Sequence, residues 1–277
     1  MRFFQTGAAL TALMNLVTAG GLAAQAQDRG LWEHEVADAL RAAQTQNYAA
    51  AEQGLMKALH DAERLGANDV SVGSTLNSLG LVYRADRKYG EAEAAYRRAL
   101  RIMEAAYGDS LDVANINFNI ANVLFDQGKQ AEALPDLRTS LRIYAKLLGA
   151  YSLKTAAALC MEGDAYRTMK RYPDAEIDFR SCAEIREKDA GIDSSEVADA
   201  QYGLALTLMG EGKYSAAEPR LKLAEAIREK NLGITSPLLA QTMEDHARVL
   251  KELGRQKEAD RLSEVAAAIR RAQPKGQ

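Results

Sequence analysis

The chain has very little of several things that most active sites are made from. Its 277 residues include three histidines, two cysteines, one tryptophan and five prolines, and aromatics make up only 6%. His34, His60 and His246 lie far apart, with no HExxH or comparable metal-ligand spacing. No GxSxG elbow occurs, and Gly212-Lys213 lacks the glycine five positions earlier that a phosphate loop needs. Paired acids such as Glu91 and Glu93 are numerous, but they sit where a helix would present a solvated face. These absences argue against an enzyme and against a resident metal or cofactor. Clusters of one charge are missing too. Lys and Arg total 35 against 38 Asp and Glu, net charge −3, so counterion-release binding to nucleic acid has no footprint. Scarce proline is what long, closely stacked helices require, because proline removes a backbone donor and clashes with the preceding turn.

The one long apolar stretch is at the start. Arg2 gives a minimal basic region, Gly7 to Ala24 is mostly apolar, and Ala24-Gln25-Ala26 fits the small-x-small rule for signal-peptide cleavage. Asn15, Thr18, Gly20 and Gly21 interrupt the run, which counts against a permanent membrane span. The expectation is a bacterial signal peptide over 1–26, a mature chain from Gln27 with no membrane span, and a periplasmic or secreted location. Removing Arg2, the only charged side chain of the leader, takes the net charge to −4.

What the chain does have is a period. The segment Arg87–Leu100, RKYGEAEAAYRRAL, returns in register around Tyr48, Tyr89, Gln130, Tyr172, Tyr214 and Gln256, at steps of 41, 41, 42, 42 and 42. Three residues after each of these stands alanine, at Ala51, Ala92, Ala133, Ala175, Ala217 and Ala259. Nine residues before each stands a small residue, at Ala39, Gly80, Ala121, Gly163, Ala205 and Ala247. Several columns locked to one stride mark a repeat array.

One copy reads as two helices. Asp69 or Asn68 can cap a helix to about Asp86 with Leu76, Leu79, Gly80 and Tyr83 as its buried stripe. A turn at Arg87-Lys88 leads to a second helix, with Tyr89, Ala92, Tyr96, Ala99 and Met103 along one face. Gly66, Gly108, Gly149, Gly191 and Gly233 end the second helices, and Ser110, Ser152, Ser194 and Ser236 sit where the next helix needs an N-cap. Gly80 and Ala92 are small enough to let the two helices approach closely.

The pattern Leu79-Gly80, Tyr83, Tyr89, Ala92, Tyr96 and Ala99-Leu100 resembles the tetratricopeptide repeat, and the 42-residue stride is similar to that of the kinesin-light-chain subtype. The resemblance implies an all-α, right-handed superhelix of about six helical hairpins, spanning 31–66, 69–108, 110–149, 152–191, 194–233 and 236–271. A short linker is expected over 27–30 and a disordered tail over 272–277. Trp32 reads as a cover for the exposed end of the stack. The resemblance also implies that the first helix of each hairpin lines a concave groove that takes a protein or extended peptide. Carried over by motif position, that groove includes Asn77, Leu81, Arg84, Phe118, Asn119, Asn122, Phe125, Arg167, Tyr202 and Met209. The asparagines would hold a peptide backbone or else bond to neighbouring helices. The aromatics would make an apolar floor or be core, and Arg84 and Arg167 could anchor a carboxylate. Two other roles fit the same array: a structural part of an envelope assembly joined through its ends or convex face, and an accessory subunit of an enzyme.

Cys160 and Cys182 are placed near the start of the first helix and the end of the second in the fourth hairpin, which antiparallel packing brings together. A disulfide and two small buried thiols are both compatible with that placement.

Overall fold

A computed structural model describes residues 29–272; the leader and residues 273–277 lie outside the described residues. In chain order it forms α1 (29–44), α2 (Tyr48–Leu65), α3 (Val70–Ala85), α4 (Tyr89–Tyr107), α5 (Leu111–Asp126) and α6 (Gln130–Leu148). These are followed by α7 (Leu153–Thr168), α8 (Tyr172–Ala190), α9 (Ser195–Gly210), α10 (Tyr214–Leu232), α11 (Pro237–Glu252) and α12 (Gln256–Ala272). The fold is an all-α solenoid of paired helices, as the period predicts. The chain forms two compact units, one ending at Gln127 and one starting at Gly128. In the first, α3 packs against α2, α4 and α5. In the second, each helix from α6 to α12 packs on the next, and α7 also meets α9.

The helix ends follow from local chemistry. Asp69, Ser110, Ser152 and Ser194 each accept a backbone N–H of the first turn, satisfying a donor the helix cannot satisfy itself. Asp69, not Asn68, is the cap of α3. Each odd-numbered helix from α3 to α11 spans 16 residues, while α4, α6, α8 and α10 span 19. The turn inside each hairpin needs one left-handed residue. Gly128, Gly212 and Gly254 supply it in three copies, but Gln46, Arg87 and Lys170 adopt it in the others at φ near 60°.

The core is a second set of columns. Seven residues after the opening position stand Leu55, Tyr96, Leu137, Phe179 and Leu221, each among the largest fully buried side chains. Their size is matched to the small column on the preceding helix. Tyr96 belongs to the hairpin with Gly80, and Phe179 to the one with Gly163, while Leu55 and Leu221 belong to hairpins with Ala39 and Ala205. A methyl added at Gly80 would stand 2.5 Å from the Tyr96 ring, so the close approach expected of Gly80 and Ala92 is filled by an aromatic side chain. Phe179 is gripped from both sides: a Cβ at Gly163 would stand 3.0 Å from its ring and one at Gly203, in the next hairpin, 2.3 Å.

A third column joins neighbouring hairpins by charge. The N-cap of α4 is Lys88, that of α10 is Lys213, and Arg255 stands just before α12. A cation there opposes the helix dipole. The reason is found one hairpin back: Lys88 pairs with Glu52 at 2.7 Å, Lys213 with Glu176 at 2.8 Å and Arg255 with Glu218 at 2.8 Å. Hydrogen bonds from Lys213, then Arg180, outweigh burial and hold the Glu176 carboxyl down at about 2. In the third copy the acid is replaced by Leu134, and Arg171 pairs instead with Asp174 on its own helix at 2.8 Å.

Some expectations are corrected. Residues 29 and 30 of the expected linker are helical, continuous with the segment that Trp32 anchors. Ala272, expected in the tail, continues α12, since alanine does not end a helix. Tyr83 and Tyr89 are half-exposed, because their positions lie at the margin of the buried stripe.

Gly80→Ala should lower unfolding free energy by about 1–3 kcal/mol through overpacking against Tyr96. Adding Tyr96→Leu should recover part of that loss in denaturant titrations, since alanine with leucine is the combination of the fifth copy. A second prediction concerns pH. Asp178 on α8 has a carboxyl oxygen with no hydrogen-bond partner among the described residues. Burial, then Glu162 and Asp174, push its carboxyl up to about 7. Such a group costs stability as pH rises from about 4 to 7, whereas Glu176 contributes stability that is lost as pH falls from about 4.5 to 2. Melting temperatures against pH should therefore lose the first slope in Asp178→Asn and the second in Glu176→Gln.

Candidate functional site

The residues assigned to the inner face come from the odd-numbered helices. On α3, Asn77, Leu81 and Arg84 recur at intervals of four and three, and on α5, Phe118, Asn122 and Phe125 do the same, so each set shares one helical face. None is fully buried: Leu81 is 44% exposed and the others are half-buried. Phe118 and Phe125 are therefore neither closed core nor free surface. Arg167 on α7, and Tyr202 and Met209 on α9, are half-buried in the second unit.

In the first unit, α3 and α5 of neighbouring hairpins meet through side-chain contacts. Asn119 Nδ2 donates to Asn77 Oδ1 at 3.3 Å, one copy apart. That bond leaves the Asn77 amino group and the Asn119 carbonyl oxygen for other partners. Asn122 Nδ2 donates to the Phe118 carbonyl of its own helix at 2.9 Å, which leaves its side-chain carbonyl oxygen as an acceptor. Arg84, expected to hold a ligand carboxylate, already donates through Nε to Asp126 Oδ2 at 2.6 Å. The face thus offers amide donors and acceptors beside two phenyl rings, with its guanidinium neutralised.

In the second unit the expected residues are drawn into a denser polar network. Arg167 pairs with Asp164 on its own helix at 2.7 Å, so it too is already engaged. Tyr202 donates its hydroxyl to Asp245 Oδ2 on α11 at 2.5 Å, and Arg248 also pairs with Asp245. Arg228 on α10 lies over the Tyr202 ring at 4.4 Å. It donates to Asp199 at 2.8 Å and to Thr242 at 2.6 Å while being only 5% exposed. Burial dominates the upward shift of the Tyr202 hydroxyl, with Arg228 the largest opposing influence. Met209 stands one helical turn pair beyond Tyr202 on the same face, outside this network.

Arg228 escaped the sequence reading because it belongs to an even-numbered helix, where attention fell on the small and apolar columns. Its signal was present: the same position reads Ala62, Met103 and Tyr144 in the first three copies, then Arg186, Arg228 and Arg270. An apolar position that turns cationic for three copies calls for acidic or carbonyl partners. Arg186 finds the Glu196 carbonyl at 2.7 Å, and Arg270 finds Glu244 at 3.2 Å.

Cys160 and Cys182 are joined in the structure, with Cα atoms 5.6 Å apart. They stand near the middles of α7 and α8, not at helix ends as the sequence reading placed them. Ala156, Ala183 and Ala200 pack beside the bridge, and their small size lets the helices close to bridging distance. The described residues contain no group of three or more His, Cys, Asp or Glu able to hold a metal ion. No described helix is long and apolar enough to cross a membrane.

With this geometry in hand, likeness to known proteins can be placed. The tetratricopeptide repeat model matches residues 28–105, 112–188 and 196–272. No curated protein matches the chain in sequence. Among solved structures, BtubC (BKLC) from P. vanneervenii is 21% identical, with a TM-score of 0.67 over 89% of this chain and 95% of that one. A putative kinesin light chain from Podosopora anserina with nearly identical TPR-like repeats is 20% identical, with a TM-score of 0.63 over 75% and 99%. The apo form of RapI is 15% identical, with a TM-score of 0.68 over 87% and 97%. At these identities the likeness is one of fold.

Reduction of the Cys160–Cys182 bridge, which closes a loop with a sequence separation of 22, should lower unfolding free energy by about 3 kcal/mol. Urea titrations with and without a phosphine reductant read this directly. Cys182→Ser should reproduce the loss and abolish the response to reductant.

Proposed function

We propose, for a chain that belongs to the tetratricopeptide repeat family, that it binds an extended peptide segment of a partner protein along the faces of its odd-numbered helices, without catalysing a reaction. The observation that carries this reading is the Asn77–Asn119 pair, which links the odd-numbered helices of neighbouring hairpins and is flanked by half-buried Phe118 and Phe125. Asparagine is a poor helix former, so helix propensity does not account for half-buried Asn77, Asn119 and Asn122. A side-chain amide can meet both the N–H and the C=O of a passing peptide, and a peptide in extended form presents those groups along its length. Leu81 and the two phenyl rings supply apolar area for alternate side chains of the same peptide. Arg84 and Arg167 act here by holding Asp126 and Asp164, and we assign them to shaping the face rather than to a ligand carboxylate.

The 42-residue stride, together with structural likeness to a putative kinesin light chain, supports placing the repeats in the kinesin-light-chain subtype. Export is supported by the Arg2 and Ala24-Gln25-Ala26 features of the first 26 residues, and by a disulfide that suits an oxidising compartment. We therefore assign the binding role to the periplasm or the medium.

The test begins with the chain from Gln27 as bait in envelope extract, followed by calorimetry with the purified partner. Phe118→Ala with Phe125→Ala should weaken that affinity by about tenfold or more, as should Asn77→Ala with Asn119→Ala. Thermal unfolding measured alongside separates lost binding from lost fold. Wild-type affinity in both folded double variants would overturn the assignment of this face.

A further inference from the structure

The first unit carries a cavity whose lining includes none of the residues assigned to the peptide-binding face. It is bounded by the start of α1, the start of α3 and the junction of α4 with α5, and its volume is about 240 Å³. Trp32 and Tyr107 supply aromatic wall, and Arg29, Glu33, Asp69 and Asp112 supply charge. Tyr107 is 52% exposed although it is large and partly apolar. The indole is fixed, since Trp32 Nε1 donates to the buried Thr75 Oγ1 at 2.7 Å. The same ring also lines the hollow.

The charges around the hollow do not cancel. Arg29 lies 3.6 Å from Asp69, whereas Glu33 and Asp112 are exposed and carry no ion pair among the described residues. Asp69 accepts from the Ser71 backbone N–H and hydroxyl, which lowers its pKa and keeps it ionised. The starts of α3 and α5 each add roughly half a positive charge. Three carboxylates against one guanidinium and two such helix ends leave about one unit of negative charge in the hollow. Negative charge beside tryptophan and tyrosine rings is the setting in which an organic cation is held by Coulomb attraction, and by the ring quadrupoles where it meets a ring face. Pockets for drug-sized ligands run from roughly 300 to 1,000 Å³, so this one is small and suits a single side chain.

We infer that the hollow between Trp32, Tyr107, Glu33 and Asp112 is a receptor for one cationic side chain, lysine or arginine, of a polypeptide partner. Its lining shares no residue with the face proposed above, and it does not depend on that reading. Arg29 acts as a gate of charge: by engaging Asp69 it leaves Glu33 and Asp112 as the carboxylates that meet the ligand.

Trp32 is the sole tryptophan, so its fluorescence reports on this hollow alone. The full chain is titrated at low salt with Nα-acetyl-arginine amide and Nα-acetyl-lysine amide, with the neutral Nα-acetyl-norleucine amide as control. A saturable change with at least one cationic probe, absent with norleucine amide, is expected. The double variant Glu33→Gln, Asp112→Asn should weaken it at least tenfold, with melting temperature kept because both side chains are exposed. Tyr107→Leu, which removes the aromatic face but retains apolar bulk, should weaken it severalfold. The inference is overturned if norleucine amide binds as well as the cations, if neither cation gives a saturable change, or if the folded double variant titrates like wild type.

Discussion

Everything in this protein depends on how closely the two helices of a hairpin can approach, and that is set by a match of volumes. Where the odd-numbered helix has glycine, the even-numbered helix fills the space with an aromatic ring, as with Gly80 and Tyr96 or Gly163 and Phe179. Where it has alanine, leucine suffices, as in the hairpins with Ala39 and Leu55 or Ala205 and Leu221. Side chains in close-packed interiors have few voids to move into, so neither member of such a couple can change alone. A single hairpin has too little interior to exclude water. Phe179 shows how the deficit is met, since its ring lies against Gly163 of its own hairpin and Gly203 of the next.

Charge plays a different part. Lys88, Lys213 and Arg255 stand at positions where the helix dipole disfavours a cation, and each reaches back to a glutamate of the previous hairpin. Exposed ion pairs add little stability individually. Their use here is positional: a lysine that opposes its own helix is satisfied only when the neighbouring hairpin sits at the right offset. The third copy, with Leu134 in place of the acid, lacks this fastening, and Arg171 turns to Asp174 and to the Tyr166 ring at 4.5 Å.

The faces that result are not equivalent. Around Asn77 and Asn119 the side chains are amides and phenyl rings, with charge neutralised by the Arg84–Asp126 pair. Around Tyr202 the face is ordered by a buried guanidinium: Arg228 binds Asp199 and Thr242, while Tyr202 binds Asp245. The first arrangement leaves hydrogen-bonding capacity unspent, which a peptide can use. In the second, much of that capacity is consumed within the protein, which favours a fixed surface over an adaptable one. The hollow beside Trp32 is a third kind of surface, aromatic and acidic, bounded by the starts of α1 and α3 and the junction of α4 with α5.

The sequence by itself determined the period, the pairing of helices, and the caps at Ser110, Ser152 and Ser194. These rest on local rules, in which a side chain satisfies a backbone group two or three residues away or a face repeats every 3.6 residues. It also determined which helix would present Asn77, Asn119 and Phe118, because face membership follows from spacing alone. Tertiary structure decided what those residues do. That Asn77 meets Asn119, that Arg84 is occupied by Asp126, and that Arg228 lies over Tyr202 depend on contacts between different helices, far apart in sequence. The bridge between Cys160 and Cys182 was undecided for the same reason. Sequence spacing says that two helices are neighbours, but the small residues packed beside the bridge, Ala156 and Ala183 on these helices and Ala200 on α9, set whether sulfur can reach sulfur.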